Sequence, residues 1–191
     1  MQLRYLSADE LLADSLQLAL NVVESGFRPD LLVALWRGGT PVGIAMQEVF
    51  DFLKLPCEHF AIRSKSYSAP GQQHAVQLWG MEQLQPCLRS GCQILLVDDV
   101  FDSGRTLQAV INAIHAMHNP QTLHIRLATP WFKPGNNQTS LTPDYSLHTT
   151  TDWLVFPHEL QGLSTAQLLA KPGMTTPLHR LLQMQQQLEK H

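Results

Sequence analysis

The chain has 191 residues, of which 44% are hydrophobic and 15% charged, with a formal charge of -3 when histidine is neutral; this suits one folded domain with a substantial core and excludes a disordered chain. The slightly acidic total excludes diffuse electrostatic attraction for nucleic acid or anionic lipid. Three cysteines without a C-x-x-C pair, Cys57, Cys87 and Cys92, fit reduced thiols in a cytoplasmic protein better than a disulfide frame or a zinc site, and no apolar run approaches the ~20 residues of a membrane span or the pattern of a signal peptide.

In chain order, Ser7-Ala8-Asp9-Glu10 reads as a capping box opening a helix with Leu11, Leu12, Leu16, Leu18 and Leu20, ended by Gly26. Leu31 to Leu35 is an uninterrupted apolar run, as expected of a strand covered on both faces. Arg37-Gly38-Gly39-Thr40 breaks the pattern, and Val42, Ala45, Met46, Val49, Phe50 and Leu53 recur at helical spacing after Pro41. Cys57 to Arg63 alternates like a strand. Ser64 to Gln73 has no period and predicts a mobile surface loop, with Val76 to Trp79 returning as the other arm of a hairpin or flap.

Ile94 to Val97 reads as a second central strand, Asp98 to Arg105 as a loop, and Thr106 to Met117 as a helix stopped by Asn119-Pro120. Thr122 to Thr129 predicts a third strand with Leu123, Ile125 and Leu127 on one face. Beyond Pro130 the chain turns loop-like as far as the apolar patch Trp153 to Phe156. Thr176-Pro177 opens a terminal helix, about 176–190, with a solvated Gln-rich face. Strands alternating with helices predict an α/β fold with a mainly parallel, doubly wound sheet.

The stretch richest in chemistry is Ile94-Leu95-Leu96-Val97-Asp98-Asp99-Val100-Phe101-Asp102-Ser103-Gly104-Arg105-Thr106. A buried strand delivers two adjacent carboxylates to its C-terminal edge, where open α/β sheets bind ligands. The amides of Ser103 to Thr106 at a helix N-terminus, with the hydroxyls of Ser103 and Thr106, suit a phosphate monoester, and Gly104 lets the backbone come close. Ionised carboxylates accept from ribose hydroxyls or hold a divalent metal. A capped helix alone explains one acid, not three, because Asp98 and Asp99 have no part in capping. The loop at Arg37 is neither a Walker A loop nor a G-x-G-x-x-G fingerprint, which excludes kinase and dehydrogenase readings.

This acidic stretch resembles the phosphoribosyl pyrophosphate signature of type I phosphoribosyltransferases: an apolar run, two acids, two mostly apolar residues, then Asp-Ser/Thr-Gly-x-Thr. Its six fixed positions match by accident on the order of once in 10⁷ start sites at background frequencies. The resemblance covers about residues 30–160 and implies one phosphoribosyltransferase domain over 1–191. Its core would span about 27–130, with a flexible flap and a small hood at about 131–160 joined by the N-terminal segment. Phe132-Lys133-Pro134-Gly135 and Asp152-Trp153-Leu154-Val155-Phe156-Pro157-His158-Glu159 are similar to the hood of 6-oxopurine enzymes, the xanthine-guanine and hypoxanthine-guanine transferases.

The resemblance implies transfer of 5-phosphoribosyl to N9 of hypoxanthine, guanine or xanthine in purine salvage, with Mg2+. By it, Asp98 and Asp99 hold the ribose and the metal, and Asp102, Ser103, Gly104, Arg105 and Thr106 the 5'-phosphate. Arg37, Gly38 and Gly39 hold pyrophosphate, and Ser66 and Tyr67 belong to the flap. Asp102 exchanges a proton at N7, while Lys133, Trp153 and Leu154 meet the purine. An ammonium favours a carbonyl acceptor over the amino group of adenine. The chain departs from the family in having no arginine or lysine between Tyr67 and Arg89, where His74 is the candidate substitute, and in carrying His158 where relatives commonly have tryptophan. The partners implied are phosphoribosyl pyrophosphate and a purine base, with no nucleic acid and no integral membrane segment, in a homo-oligomer, dimer or tetramer. Transfer to adenine or a pyrimidine, and a non-catalytic phosphoribosyl pyrophosphate sensor, stay open.

Overall fold

The structure, a computed structural model, describes residues 2–67, 75–173 and 175–188. The elements in chain order are β1 (Leu3–Tyr5), α1 (Ala8–Glu24), β2 (Leu31–Trp36), α2 (Gly39–Phe52), β3 (Glu58–Tyr67), β4 (Ala75–Trp79), β5 (Gln93–Val97), β6 (Val100–Phe101) and α3 (Arg105–Met117). There follow β7 (His124–Ala128), β8 (Trp131–Phe132), β9 (His148–Thr149), β10 (Trp153–Val155), α4 (Thr165–Leu169) and α5 (Thr175–Leu188). They fall into two units, Leu12–Thr151 and the pair Met1–Leu11 with Asp152–His191. No helix among the described residues is long and apolar enough to cross a membrane.

The larger unit is built on a five-stranded sheet of order β4-β3-β2-β5-β7. Its ladders are parallel apart from the antiparallel pair β3–β4. The apolar runs of β2 and β5 have no polar face because both faces of these central strands are covered. Alternate residues Leu31, Val33, Leu35, Ile94 and Leu96 pack with Leu107, Val110, Ile111 and Ile114 of α3. On the other face α2 lies so close that a Cβ on Gly43 would stand 2.7 Å from the Ala34 Cβ. Both faces are therefore dry, and the ends of the strands are the natural place for polar chemistry. A second, three-stranded sheet of order β6-β8-β9 grows from the loop after β5.

Several predicted bounds shift. The strand expected at Cys57 to Arg63 begins at Glu58 and runs on to Tyr67, so the loop predicted from Ser64 is strand as far as Tyr67. Ser64, Lys65 and Ser66 pair with Leu78, Gln77 and Val76 of β4; backbone bonds hold this ribbon, and its sequence carries no apolar period. α2 begins at Gly39, two residues before Pro41, and α3 at Arg105. β7 is shorter than predicted because Pro120–Thr122 forms a 3₁₀ turn. β8 and β9, two residues each, fell where only loop was expected, since two residues carry no period.

The smaller unit pairs β1 in parallel with β10, Leu3, Arg4 and Tyr5 opposite Trp153, Leu154 and Val155. The capping box forms as read: Glu10 N–H donates to Ser7 Oγ at 3.1 Å and Ser7 N–H to Glu10 Oε2 at 2.8 Å. A second capping box, missed in the sequence, starts α4 with Ser164 and Gln167. Among the thiols, burial pushes Cys57 up to about 12 and raises Cys92, and all three cysteines are free.

Candidate functional site

Strand β5 ends at Val97 and hands the chain to Asp98 and Asp99. The Asp98 N–H is tied to the Ala128 carbonyl at the end of β7, at 3.3 Å, so β5 and the edge strand β7 beside it together fix where the acids begin. Asp98 Oδ1 accepts from the Asp99 N–H at 3.0 Å. Burial, followed by the charge of Asp99, holds the Asp98 carboxyl well above the usual carboxylate range. Two adjacent acids in a dry setting resist double ionisation, and a cation or a hydroxyl donor placed there would relieve that resistance.

The Arg37-Gly38-Gly39 loop packs directly onto this pair. A Cβ on Gly38 would land on the Asp99 carboxylate, and one on Gly39 would strike the Val97 carbonyl and come within 2.8 Å of the Asp98 Cα. Glycine at both positions is a packing requirement, and it brings a basic residue with backbone amides beside the acids. The turn is closed by Thr40, whose N–H and hydroxyl both donate to the Arg37 carbonyl, at 3.3 Å and 2.7 Å. Arg37 itself is exposed at the lip.

Helix α3 supplies the third part. Gly104 is its N-cap residue, with φ of 74° and no side-chain cap, so beyond the Arg105 N–H, which reaches Ser103 Oγ, the first amides of the helix have no capping side chain from the N-cap residue. A Cβ there would stand 2.6 Å from Phe101 Cζ and 2.6 Å from Thr139 Oγ1. Asp98, Asp99, Asp102, Ser103, Gly104 and Thr106 line a cavity of about 200 Å³. The Arg105 side chain is not part of that lining; the Arg105 backbone N–H donates to Ser103 Oγ at 3.4 Å.

Pairing of β6 with β8, Phe101 opposite Phe132, carries Lys133 to the same place, its N–H bonded to the Phe101 carbonyl at 2.9 Å. Lys133 is 6% exposed, and its Nζ lies 3.7 Å from Asp102 Oδ2. Asn136 Nδ2 donates to the other oxygen, Asp102 Oδ1, at 2.7 Å. Sequence reasoning missed Asn136. The signal was present: Pro134-Gly135 makes a tight turn that sets residues three apart side by side, and the Asn136 N–H closes it on the Lys133 carbonyl at 3.0 Å.

Of the remaining predicted residues, Ser66 and Tyr67 end β3, paired with Val76 and Ala75, and His74 lies outside the described residues. Trp153 and Leu154 belong to β10 of the smaller unit, Trp153 half-exposed and the Leu154 side chain buried. Among the described residues no group of three or more His, Cys, Asp or Glu side chains could hold a metal ion by itself.

Residues 2–163 match the family description "Phosphoribosyl transferase domain". A hypoxanthine/guanine phosphoribosyltransferase of Methanocella arvoryzae is 31% identical over 108 residues, 55% of this chain and 53% of that protein, so the match spans about half the length of that relative. A purine phosphoribosyltransferase structure from Pyrococcus horikoshii superposes with a TM-score of 0.66 at 25% identity, covering 86% of this chain and 99% of that one. A xanthine-guanine-hypoxanthine phosphoribosyltransferase of Helicobacter pylori shares the fold, with a TM-score of 0.65 at 24% identity over 81% of this chain and 92% of that one.

Proposed function

Because the chain belongs to the phosphoribosyl transferase domain family, we propose that it transfers the 5-phosphoribosyl group from phosphoribosyl pyrophosphate to N9 of a 6-oxopurine, giving the nucleoside monophosphate and pyrophosphate in purine salvage. The observation that carries the choice of base is the placement of Lys133 Nζ 3.7 Å from Asp102. A 6-oxopurine presents N7 and O6 as neighbouring acceptors on one edge, whereas adenine presents N7 beside an amino donor. An ammonium next to a carboxyl matches the first edge: Lys133 donates to O6, and Asp102 exchanges the proton at N7, which raises the nucleophilicity of N9. Adenine would set its amino group against the Lys133 donor, with no acceptor to meet it.

The other roles follow the chemistry of each group. The α3 N-terminus, with the Ser103 and Thr106 hydroxyls, holds the 5'-phosphate; Asp98 and Asp99 hold the ribose hydroxyls; Arg37 with the amides of Gly38 and Gly39 takes the leaving pyrophosphate. Trp153 and Leu154 are assigned to the base, and the arm ending in Ser66 and Tyr67 to the pyrophosphate side. Asp98 and Asp99 fit magnesium, since this cation keeps waters and is commonly held by one or two carboxylates plus substrate oxygens rather than by an all-protein cage. Bound there, it would supply positive charge against the departing pyrophosphate. The three free thiols support a reducing compartment such as the cytoplasm.

Pyrophosphate release, measured with phosphoribosyl pyrophosphate, magnesium and each nucleobase in turn, tests the reading. Hypoxanthine, guanine or xanthine should support turnover, and adenine and the pyrimidines should not. Turnover with adenine alone would overturn the base assignment. Tight binding of phosphoribosyl pyrophosphate without release on any base would overturn catalysis and leave a sensor.

A further inference from the structure

The smaller unit buries a charge that the proposed reaction does not use. Lys171 follows α4 and is 2% exposed; its N–H closes the helix end on the Leu168 carbonyl at 3.1 Å. Its ammonium donates to the carbonyl oxygen of Phe156, the first residue after β10. The same carbonyl accepts the Glu159 N–H at 3.1 Å, so both of its lone pairs are engaged. The Phe156 N–H in turn donates to Glu159 Oε2 at 3.2 Å. The His158 ring stacks on the Phe156 ring, centroids 5.5 Å apart. Phe156, the residue that follows β10, is thus gripped on its N–H by a carboxylate and on its carbonyl by an ammonium.

Taking an ammonium out of water is costly, and an apolar side chain of the same length would fill the space without that cost. Burial accordingly pushes the Lys171 ammonium down from its ordinary value, with Glu159 opposing. The cost is offset only where the donated hydrogen bond has work that a methyl group cannot do. What the bond does is fix the carbonyl three residues beyond Trp153 and two beyond Leu154. Lys171 also lies outside the residues, 2–163, that match the family description.

We propose that Lys171 is a positioning residue for the purine: by holding the Phe156 carbonyl it fixes the end of β10, and through it the placement of Trp153 and Leu154. The inference rests on the assignment of those two residues to the base. Lys171→Met keeps the stem and removes the ammonium, while Lys171→Arg keeps a cationic donor.

Hydrogen exchange on the full chain should show the amides of 153–156, 158 and 159 opening about tenfold faster in Lys171→Met, with those of Ile94–Val97 unchanged, as expected when a charge-assisted bond is lost locally. In steady-state kinetics the same variant should raise KM for the purine about five- to tenfold, leave KM for phosphoribosyl pyrophosphate within about twofold, and be rescued by Lys171→Arg. Should the methionine variant fold poorly, Lys171→Gln, a neutral donor, should give the same two effects at smaller size. Wild-type exchange in a folded variant overturns the proposal, as does faster exchange with an unchanged purine KM, or both KM values rising together. Absence of turnover by the unmodified chain on every purine refutes the proposed function instead. The exchange experiment, which needs no catalysis, then decides whether Lys171 holds the strand.

Discussion

Asp98 and Asp99 are neighbours in sequence with one shared difficulty: the protein has removed water from around two negative charges. The Asp98 carboxyl is raised by burial first and by Asp99 second. A carboxyl whose folded value lies above its unfolded value binds protons more readily in the native state, so it stabilises the fold at low pH, and that contribution is lost as pH rises through the raised value. In the presence of a chelator, Asp98→Asn should therefore melt at a higher temperature than the wild type at about pH 8, by about 2–4 °C for each kcal/mol relieved. The difference should vanish towards the ordinary value of 3.8, and a pH-independent difference would show that charge is not its cause. Around Asp102, function is predicted to suffer instead. Asp102→Asn should lower turnover by about 10²- to 10⁴-fold with little change in phosphoribosyl pyrophosphate binding. Lys133→Ala should lose the preference for oxopurines, read as the ratio of kcat/KM values for hypoxanthine and adenine. Asn136→Ala, which frees Asp102 Oδ1 from a 2.7 Å hydrogen bond, should lower kcat by about tenfold while phosphoribosyl pyrophosphate binding is kept.

At the scale of elements, the site exists because two loops are cut from glycine. Gly38 and Gly39 permit α2 to start against the ends of β5, and Gly104 turns the chain into α3 at a φ of 74°. Gly104→Ala combines a left-handed conformation, costing roughly 1–2 kcal/mol for a residue with a Cβ, with a clash at Phe101 and Thr139. It should lower the melting temperature and weaken phosphoribosyl pyrophosphate binding together, checked by a thermal melt and by titration calorimetry. The central strands and α1, α2 and α3 were legible because each carries a long apolar period or a cap that local chemistry dictates. The same reasoning placed the acid loop at a strand end and a helix start. It failed where stability comes from a partner far along the chain. Ser64 to Ser66 look like loop until β4 pairs with them, and β8 and β9 are too short to announce themselves. Asn136 was missed because its importance is set by Asp102, 34 positions earlier.

For the whole molecule, the acidic total of -3 means that the proposed binding of a highly anionic donor would draw on local groups, Arg37 and the helix amides. A ligand that binds only the native state stabilises it by about 2.7 kcal/mol at a hundredfold excess over Kd. For a chain of this length that is a melting shift of roughly 5–11 °C. Phosphoribosyl pyrophosphate with magnesium should produce such a shift, and replacing Asp98 and Asp99 together by alanine should abolish it. A shift that survives in the double variant would place the donor elsewhere. The longest strand adds a mechanical property. β3 pairs with β2 only as far as Arg63 and continues to Tyr67 with β4 alone beside it, an overhang of about 13 Å at 3.3 Å per residue. At its root the Arg63 guanidinium sits 4.8 Å above the Trp79 ring. A two-stranded ribbon is marginally stable by itself, so this overhang depends on what anchors its root, the Arg63–Trp79 stack and Leu78 packed against the core.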